Sequence, residues 1–236
     1  MDFASFAHNP PKFHFWRNWV DGGFSTYHLG AIYDFCRKHG PPLPTILETG
    51  AGNSTVCFLH VNPKRFISIA PDQPLFDRIK DYCAAHSIDI EPLEIFVEGS
   101  EWVLPRLASA ANHPQLDFAL IDGCHSFPMV MIDFFYINTM MKKGGFLLID
   151  DIDLHSVAEL TRLLSYQTKD FRLTAELGKL RVFEKLTDAP TLGWWEMQPY
   201  VVALSGGRIR QVVDRTLTGI IRLKEVKRKV TRNRIA

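Results

Sequence analysis

The sequence predicts an α/β protein built on a Rossmann-like, doubly wound and mostly parallel sheet with helices on both faces. Two observations carry this reading. Five short apolar runs alternate with five segments of helical spacing, which calls for parallel strands joined by helical crossovers. The runs are apolar throughout rather than alternating in polarity, as strands buried on both faces are.

The elements follow in order. Residues 1–24 are aromatic and irregular, with Phe3, Phe6, Phe13, Phe15, Trp16, Trp19 and Phe24. Residues 25–39 read as a helix, with Leu29, Ile32, Tyr33 and Cys36 at helical spacing, stopped by Gly40, Pro41, Pro42 and Pro44. Strands are expected at 45–49 (TILET), 65–70 (RFISIA), 93–97, 117–121 (DFALI) and 145–149 (GFLLI). Helices are expected at 54–61, 74–86, 100–111, 127–141 and 155–166. FRLTAEL and KLRVFEK, separated by Gly178, read as a closing hairpin. The chain contains no internal repeat.

Composition bounds the function. The chain has 236 residues, 46% hydrophobic and 22% charged, the proportions of a soluble globular protein. With 17 Phe and 5 Trp, global disorder is excluded. Four cysteines with no CxxC pair exclude a disulfide scaffold and suggest a reducing, cytoplasmic compartment. The first residues lack the apolar core of a signal peptide, and no run approaches the length of a membrane span. The net charge of +1 is a cancellation. Residues 206–236 carry ten Lys/Arg against Asp214 and Glu225, or +8, and the remaining 17 basic and 24 acidic residues give −7. The basic segment spaces Ile209, Val213, Leu217, Ile220 and Ile221 as an amphipathic helix. It reads either as a solvated terminal helix or as a contact for an acidic partner or a membrane surface. Nucleic acid is disfavoured, because no aromatic residue follows Tyr200 to stack on bases.

Two clusters point to chemistry. After the first strand the chain reads Glu48-Thr49-Gly50-Ala51-Gly52-Asn53-Ser54-Thr55. Glycines there let backbone approach a ligand, and the following helix presents free N–H groups. Thr55 stands where a dinucleotide fingerprint needs its third glycine, so that fingerprint fails. The acidic Glu48 suits a ligand with a positively charged amino acid end. The fourth strand ends in Asp122-Gly123-Cys124-His125 and the fifth in Asp150-Asp151, on one edge of a parallel sheet. Three carboxylates aimed at one crevice repel one another unless a cation or proton intervenes, which points to a divalent metal held by Asp122, Asp150 and Asp151. Asp151 also reads as a simple helix cap.

ILETGAGNST, EGSEWVLPRL, DFALIDGCHSF and MMKKGGFLLIDDID resemble successive motifs of class I S-adenosylmethionine-dependent methyltransferases. The likeness covers about residues 45–185. It is strongest to the branch with IDGxH and GGxxxxDD motifs, which includes metal-dependent sugar and small-molecule O-methyltransferases. The resemblance implies a seven-stranded sheet with an antiparallel last strand. It implies S-adenosylmethionine bound by Glu48, Gly50, Ala51, Gly52, Asn53, Ser54, Gly99, Ser100, Trp102 and Asp122, with Mg²⁺ on Asp122, Asp150 and Asp151. The family places an acidic residue for the ribose where this chain has Ala70, and Asp72 is the substitute two residues on. Asp122 and His125 are the expected catalytic pair, with His125 either a general base or an orienting hydrogen-bond partner. An (N/D)PP(Y/F) motif of nucleobase and glutamine N-methyltransferases is absent after the fourth strand.

The expected function is O-methylation of a small molecule or sugar hydroxyl. Its rivals are a non-catalytic binding protein on the same fold and a metal-dependent hydroxylase-like enzyme. The expected organisation is an N-terminal cap (1–40), a methyltransferase domain (41–186) and a C-terminal extension (187–236). A homo-oligomer is left open. The four tryptophans outside the sheet region read as acceptor-pocket, core or interface residues, with Trp16 and Trp19 assigned to the core and Trp194 and Trp195 to any of the three.

Overall fold

The computed structural model describes residues 1–14, 23–188 and 194–205. Two compact units divide the chain, Met1–Pro190 and Thr191–Ala236. In the first, β1 (Thr45–Thr49), β2 (Arg65–Ile69), β3 (Leu93–Phe96), β4 (Leu116–Ile121), β5 (Met141–Ile149), β6 (Phe171–Leu177) and β7 (Leu180–Lys185) form one sheet. Its order is β3-β2-β1-β4-β5-β7-β6, and β7 runs antiparallel to both neighbours. This is the seven-stranded arrangement expected from the sequence.

The helices of this unit are α1 (Phe3–His8), α2 (Thr26–His39), α3 (Asn53–His60), α4 (Gln73–Ala85), α5 (Ser100–Ser109), α6 (Met129–Met140) and α7 (His155–Tyr166). Successive strand residues serve opposite faces, as a period of two dictates. Ile46, Phe66, Phe118 and Leu148 join a core under α1–α4, while Leu47, Ile67, Ala119 and Leu147 join one with α5–α7. Apolar runs without alternation are therefore the right pattern for these strands.

Three details differ from expectation. The N-terminal stretch is not wholly irregular. Asp2 caps α1 by accepting from the Ser5 N–H at 2.8 Å, Phe6 is buried, and Phe3 stacks on Tyr33 with ring centroids 3.8 Å apart. The fifth strand begins four residues early, at Met141, and a bulge separates the pairs Leu116–Met141 and Phe118–Phe146. A Cβ on Gly145 would come within 2.9 Å of the Leu116 carbonyl, and Gly144 has φ +81°, so this glycine pair shapes the bulge. Helix α3 begins at Asn53 rather than Ser54, with the Gly52 N–H donating to Thr55 Oγ1 at 3.0 Å.

Cys36, Cys57 and Cys83 are buried free thiols and Cys124 is an exposed one. Among the described residues no helix is long and apolar enough to cross a membrane. The second unit shows a 3₁₀ turn (Trp195–Met197) and α8 (Pro199–Leu204). The basic segment 206–236, together with Trp16 and Trp19, lies outside the described residues.

Candidate active site

Strand order reverses direction between β1 and β4, and ligands of doubly wound sheets bind at the strand carboxyl ends beside such a switch. Register then fixes the neighbours. Thr49 pairs with Ile121 and Ile121 with Ile149, so Gly50, Asp122 and Asp150 stand side by side along the sheet edge. Above them lies a cavity of about 1360 Å³. One wall is the Gly50–Ser54 turn, the next is Ile69–Asp72 and Gly99–Trp102, and the far wall includes Cys124, His125, Met129 and Leu154. That volume exceeds the span usual for one small ligand, leaving room for two reactants.

The glycines of the turn are required by close approach. Gly50 has φ +87°, and a Cβ on it would collide with the Asp122 carbonyl oxygen. Its N–H donates to the Ile69 carbonyl at 2.9 Å, while the Asp122 N–H donates to the Thr49 carbonyl at 3.0 Å. A Cβ on Gly52 would lie 3.1 Å from His14 Nε2, which itself stands 3.0 Å from the Ala51 carbonyl. Gly99 stands at the N-cap of α5, where a Cβ would collide with the Glu101 carboxylate. The resulting cradle of small residues and exposed backbone suits a ligand such as S-adenosylmethionine.

Ten of the eleven residues expected to bind cofactor line this cavity: Gly50, Ala51, Gly52, Asn53, Ser54, Asp72, Gly99, Ser100, Trp102 and Asp122. Glu48 is placed differently. It is fully buried beneath the turn and accepts from Ser54 Oγ (2.9 Å), Thr55 Oγ1 (2.5 Å) and Ser68 Oγ (2.7 Å). Burial pushes its carboxyl up to about 7, against the pull of those hydroxyls. Its structural work is to tie α3 and β2 to the end of β1. Asn53 lines the cavity, but its amide clamps backbone: Oδ1 accepts from the Phe24 N–H at 2.9 Å and Nδ2 donates to the Phe24 carbonyl at 2.8 Å. Asp72 lines the cavity and caps α4 through the Leu75 N–H at 3.0 Å, while Ala70 is buried.

His125 joins the carboxylates. Its Nε2 stands 3.6 Å from Asp122 Oδ1 and 3.7 Å from Asp151 Oδ2, while Nδ1 is buried without a hydrogen-bond partner among the described residues. The interaction with Asp122 raises the imidazole above its ordinary value, against burial. Burial raises Asp122, and burial with the Asp122 charge pushes Asp150 up to about 7. Asp151 sits at φ +52° and faces Lys179 Nζ at 3.5 Å. Among the described residues no three His, Cys, Asp or Glu side chains stand grouped as metal ligands. Asp122, Asp150 and Asp151 supply oxygen donors of the kind a hard cation takes, without converging as a ligand set among the described residues.

The sequence reading missed several residues. His14, Gly23, Phe24, Ser25 and His28 from the N-terminal segments line the cavity, as do Asp153 and Lys179. Asp133 on α6 lies wholly buried beside Thr49 and Ser100, with neither carboxylate oxygen hydrogen-bonded among the described residues. A single acid in an apolar helical segment was the available signal. Burial pushes Asp133 up to about 6 from an ordinary 3.8. A carboxyl raised on folding binds more protons in the folded state, so its contribution to stability is present below pH 4 and is lost as pH rises through 6. Asp133→Asn is expected to stabilise the protein at pH 7 by up to about 3 kcal/mol and to flatten the stability slope between pH 4 and 6. Denaturant unfolding at the two pH values checks this, and an equally steep slope in the variant would refute it.

Residues 47–152 match the family model of a methyltransferase domain. No curated protein matches the chain. Among solved structures, the O-methyltransferase TomG from Streptomyces achromogenes, in complex with SAM, is 15% identical with a TM-score of 0.59, covering 71% of this chain and 83% of its own. An rRNA methylase from Streptococcus thermophilus is 15% identical with a TM-score of 0.53, covering 66% and 95%. A putative caffeoyl-CoA O-methyltransferase from Staphylococcus aureus is 15% identical with a TM-score of 0.54, covering 66% and 82%. At such identities these structures show a shared fold. The family match is to a methyltransferase domain over residues 47–152, and it falls on the part of the sheet that carries the glycine turn, Asp122 and Asp150.

Proposed function

We propose that this methyltransferase transfers the methyl group of S-adenosylmethionine to a hydroxyl oxygen of a small molecule or sugar. The observation that carries the reading is the juxtaposition of the Gly50–Ser54 cradle with His125 and Asp122 across one cavity. Bound S-adenosylmethionine supplies a methyl group on a positively charged sulfur, open to in-line displacement. An alcohol is a poor nucleophile while protonated. His125 Nε2, beside Asp122 and Asp151, is the group that takes the hydroxyl proton as the oxygen attacks. The neighbouring carboxylates stabilise the imidazolium that forms. Asp72, which lines the cavity, would meet the ribose where Ala70 offers no carboxylate.

A divalent cation, Mg²⁺, is the second part of the proposal. Asp122, Asp150 and Asp151 would hold it, and it would lower the pKa of the acceptor hydroxyl. The support is chemical: neighbouring strand ends carry carboxylate oxygens, the donors a hard cation takes, and burial with the Asp122 charge raises Asp150. Chelation with EDTA is expected to cut turnover at least about tenfold, with recovery on adding Mg²⁺. Unchanged turnover after chelation, with Asp150→Asn also unaffected, would remove the metal from the mechanism.

Ala70 favours a second reading, in which the fold binds ligand without turnover. Mass spectrometry separates the two. Conversion of S-adenosylmethionine to S-adenosylhomocysteine with a methylated alcohol or phenol supports the enzyme, and cofactor binding without conversion across such acceptors supports the binding protein.

A further inference from the structure

We propose that the acceptor is a hydroxyl compound bearing a protonated amine, and that the cavity turns away phosphorylated, carboxylated and nucleic-acid acceptors. This rests on the methyltransferase reading and concerns which molecules that site admits. The cavity is the site, and its charge decides the occupant. Asp72, Glu101, Asp122, Asp150, Asp151 and Asp153 face it, against the single ammonium of Lys179, a formal balance of −5 with histidines neutral. No arginine is among the described lining residues.

Lys179 does not offer an anion a free partner. It stands at the β6–β7 turn with Nζ 3.5 Å from Asp151 and 3.7 Å from Asp153. The balance also withstands the other reactants. Bound S-adenosylmethionine adds one positive charge and a divalent cation two, and the sum stays negative. Counting Asp122 and Asp150 as uncharged likewise leaves the remaining four carboxylates against one ammonium. The result does not depend on the protonation of the central pair.

A recess with low-dielectric walls focuses such a field, raising the local concentration of cations and opposing anions. On the side away from the glycine turn, apolar Met129 and Leu154 adjoin acidic Asp151 and Asp153. An apolar face with an acidic margin matches a ring or aglycone that carries an ammonium. A coenzyme A thioester or an RNA strand would bring several desolvated anions against carboxylates that outnumber the one ammonium, a mismatch that binding elsewhere must overcome.

The test uses the full chain loaded with S-adenosylhomocysteine. Ligand-observed NMR is run on phenol and sugar fragments matched in scaffold and bearing an ammonium, a hydroxyl or a carboxylate. Ammonium members are expected to bind about tenfold or more tighter than their carboxylate partners, a gap that narrows severalfold in about 0.5 M NaCl. Asp153→Lys is expected to shrink or reverse the gap. Equal affinities across the charge series, or tighter binding of carboxylates, would overturn the proposal. Titration with S-adenosylhomocysteine alone is measured first. Failure there removes the methyltransferase reading itself, whereas a silent charge series with normal loading removes only the acceptor proposal.

Discussion

Replacing Gly50 by alanine is expected to abolish cofactor binding and methyl transfer together. Gly50 occupies φ +87°, where an L residue is strained by roughly 1–2 kcal/mol. The added Cβ also collides with the Asp122 carbonyl, and the loops have little freedom to separate. Gly50 N–H is bonded to Ile69, Asp122 N–H is bonded to Thr49, and a Cβ on Gly123 would in turn lie 3.2 Å from Gly50 N. Relief therefore moves the turn, the Asp122 carboxylate or both. Affinity for S-adenosylmethionine is expected to fall at least about a hundredfold, or ~2.7 kcal/mol. Far-ultraviolet circular dichroism should remain that of the folded sheet, because the strain is confined to one edge. Calorimetry checks the loss, and wild-type affinity in a folded Gly50→Ala protein would show that the cradle is misplaced.

The second large effect belongs to His125. His125→Gln is expected to lower turnover by about 10²- to 10⁴-fold while leaving cofactor affinity within a few-fold of wild type. The pH profile carries the sign. A base must be neutral to accept the acceptor's proton, and the Asp122 interaction raises His125 above the ordinary imidazole value. The rate should therefore rise with pH through an apparent pKa above 6.5, and that limb should vanish in His125→Gln. A purely orienting His125 would lower the rate without removing the limb. An unchanged rate would place the base elsewhere.

Much of this was legible in the sequence because it depends on strand ends. Apolar runs fix strands, strands in a parallel sheet end on one edge, and Asp122 and Asp150 follow directly from register. What was not legible depends on where distant segments fold back. Glu48 looks like a ligand-facing acid, yet Ser54 and Thr55 of α3 and Ser68 of β2 occupy its oxygens. Asn53 looks like a residue for the cofactor, yet its amide is engaged by Phe24, 29 residues away. The glycine pair of the GGxxxxDD motif lies inside β5, where it forms a bulge. Lys179 escaped notice because β7 inserts between β5 and β6, carrying the hairpin turn to the cavity rim. The short helix α1 escaped because burial of Phe6 and the Phe3–Tyr33 stack, rather than periodicity, hold it.

The charge pattern of the chain sharpened in the same way. A net +1 conceals an acidic body of −7, and part of that acidity is now located around one cavity.

The central claim is that the crevice above Gly50 and Asp122 binds S-adenosylmethionine. Isothermal titration of the full chain with that compound, beside Gly50→Ala and with and without Mg²⁺, tests it most directly. Saturable one-site binding is expected in the wild type, and binding at least about a hundredfold weaker in the variant. No binding by the wild type under either condition, or equal binding by both proteins, would contradict it.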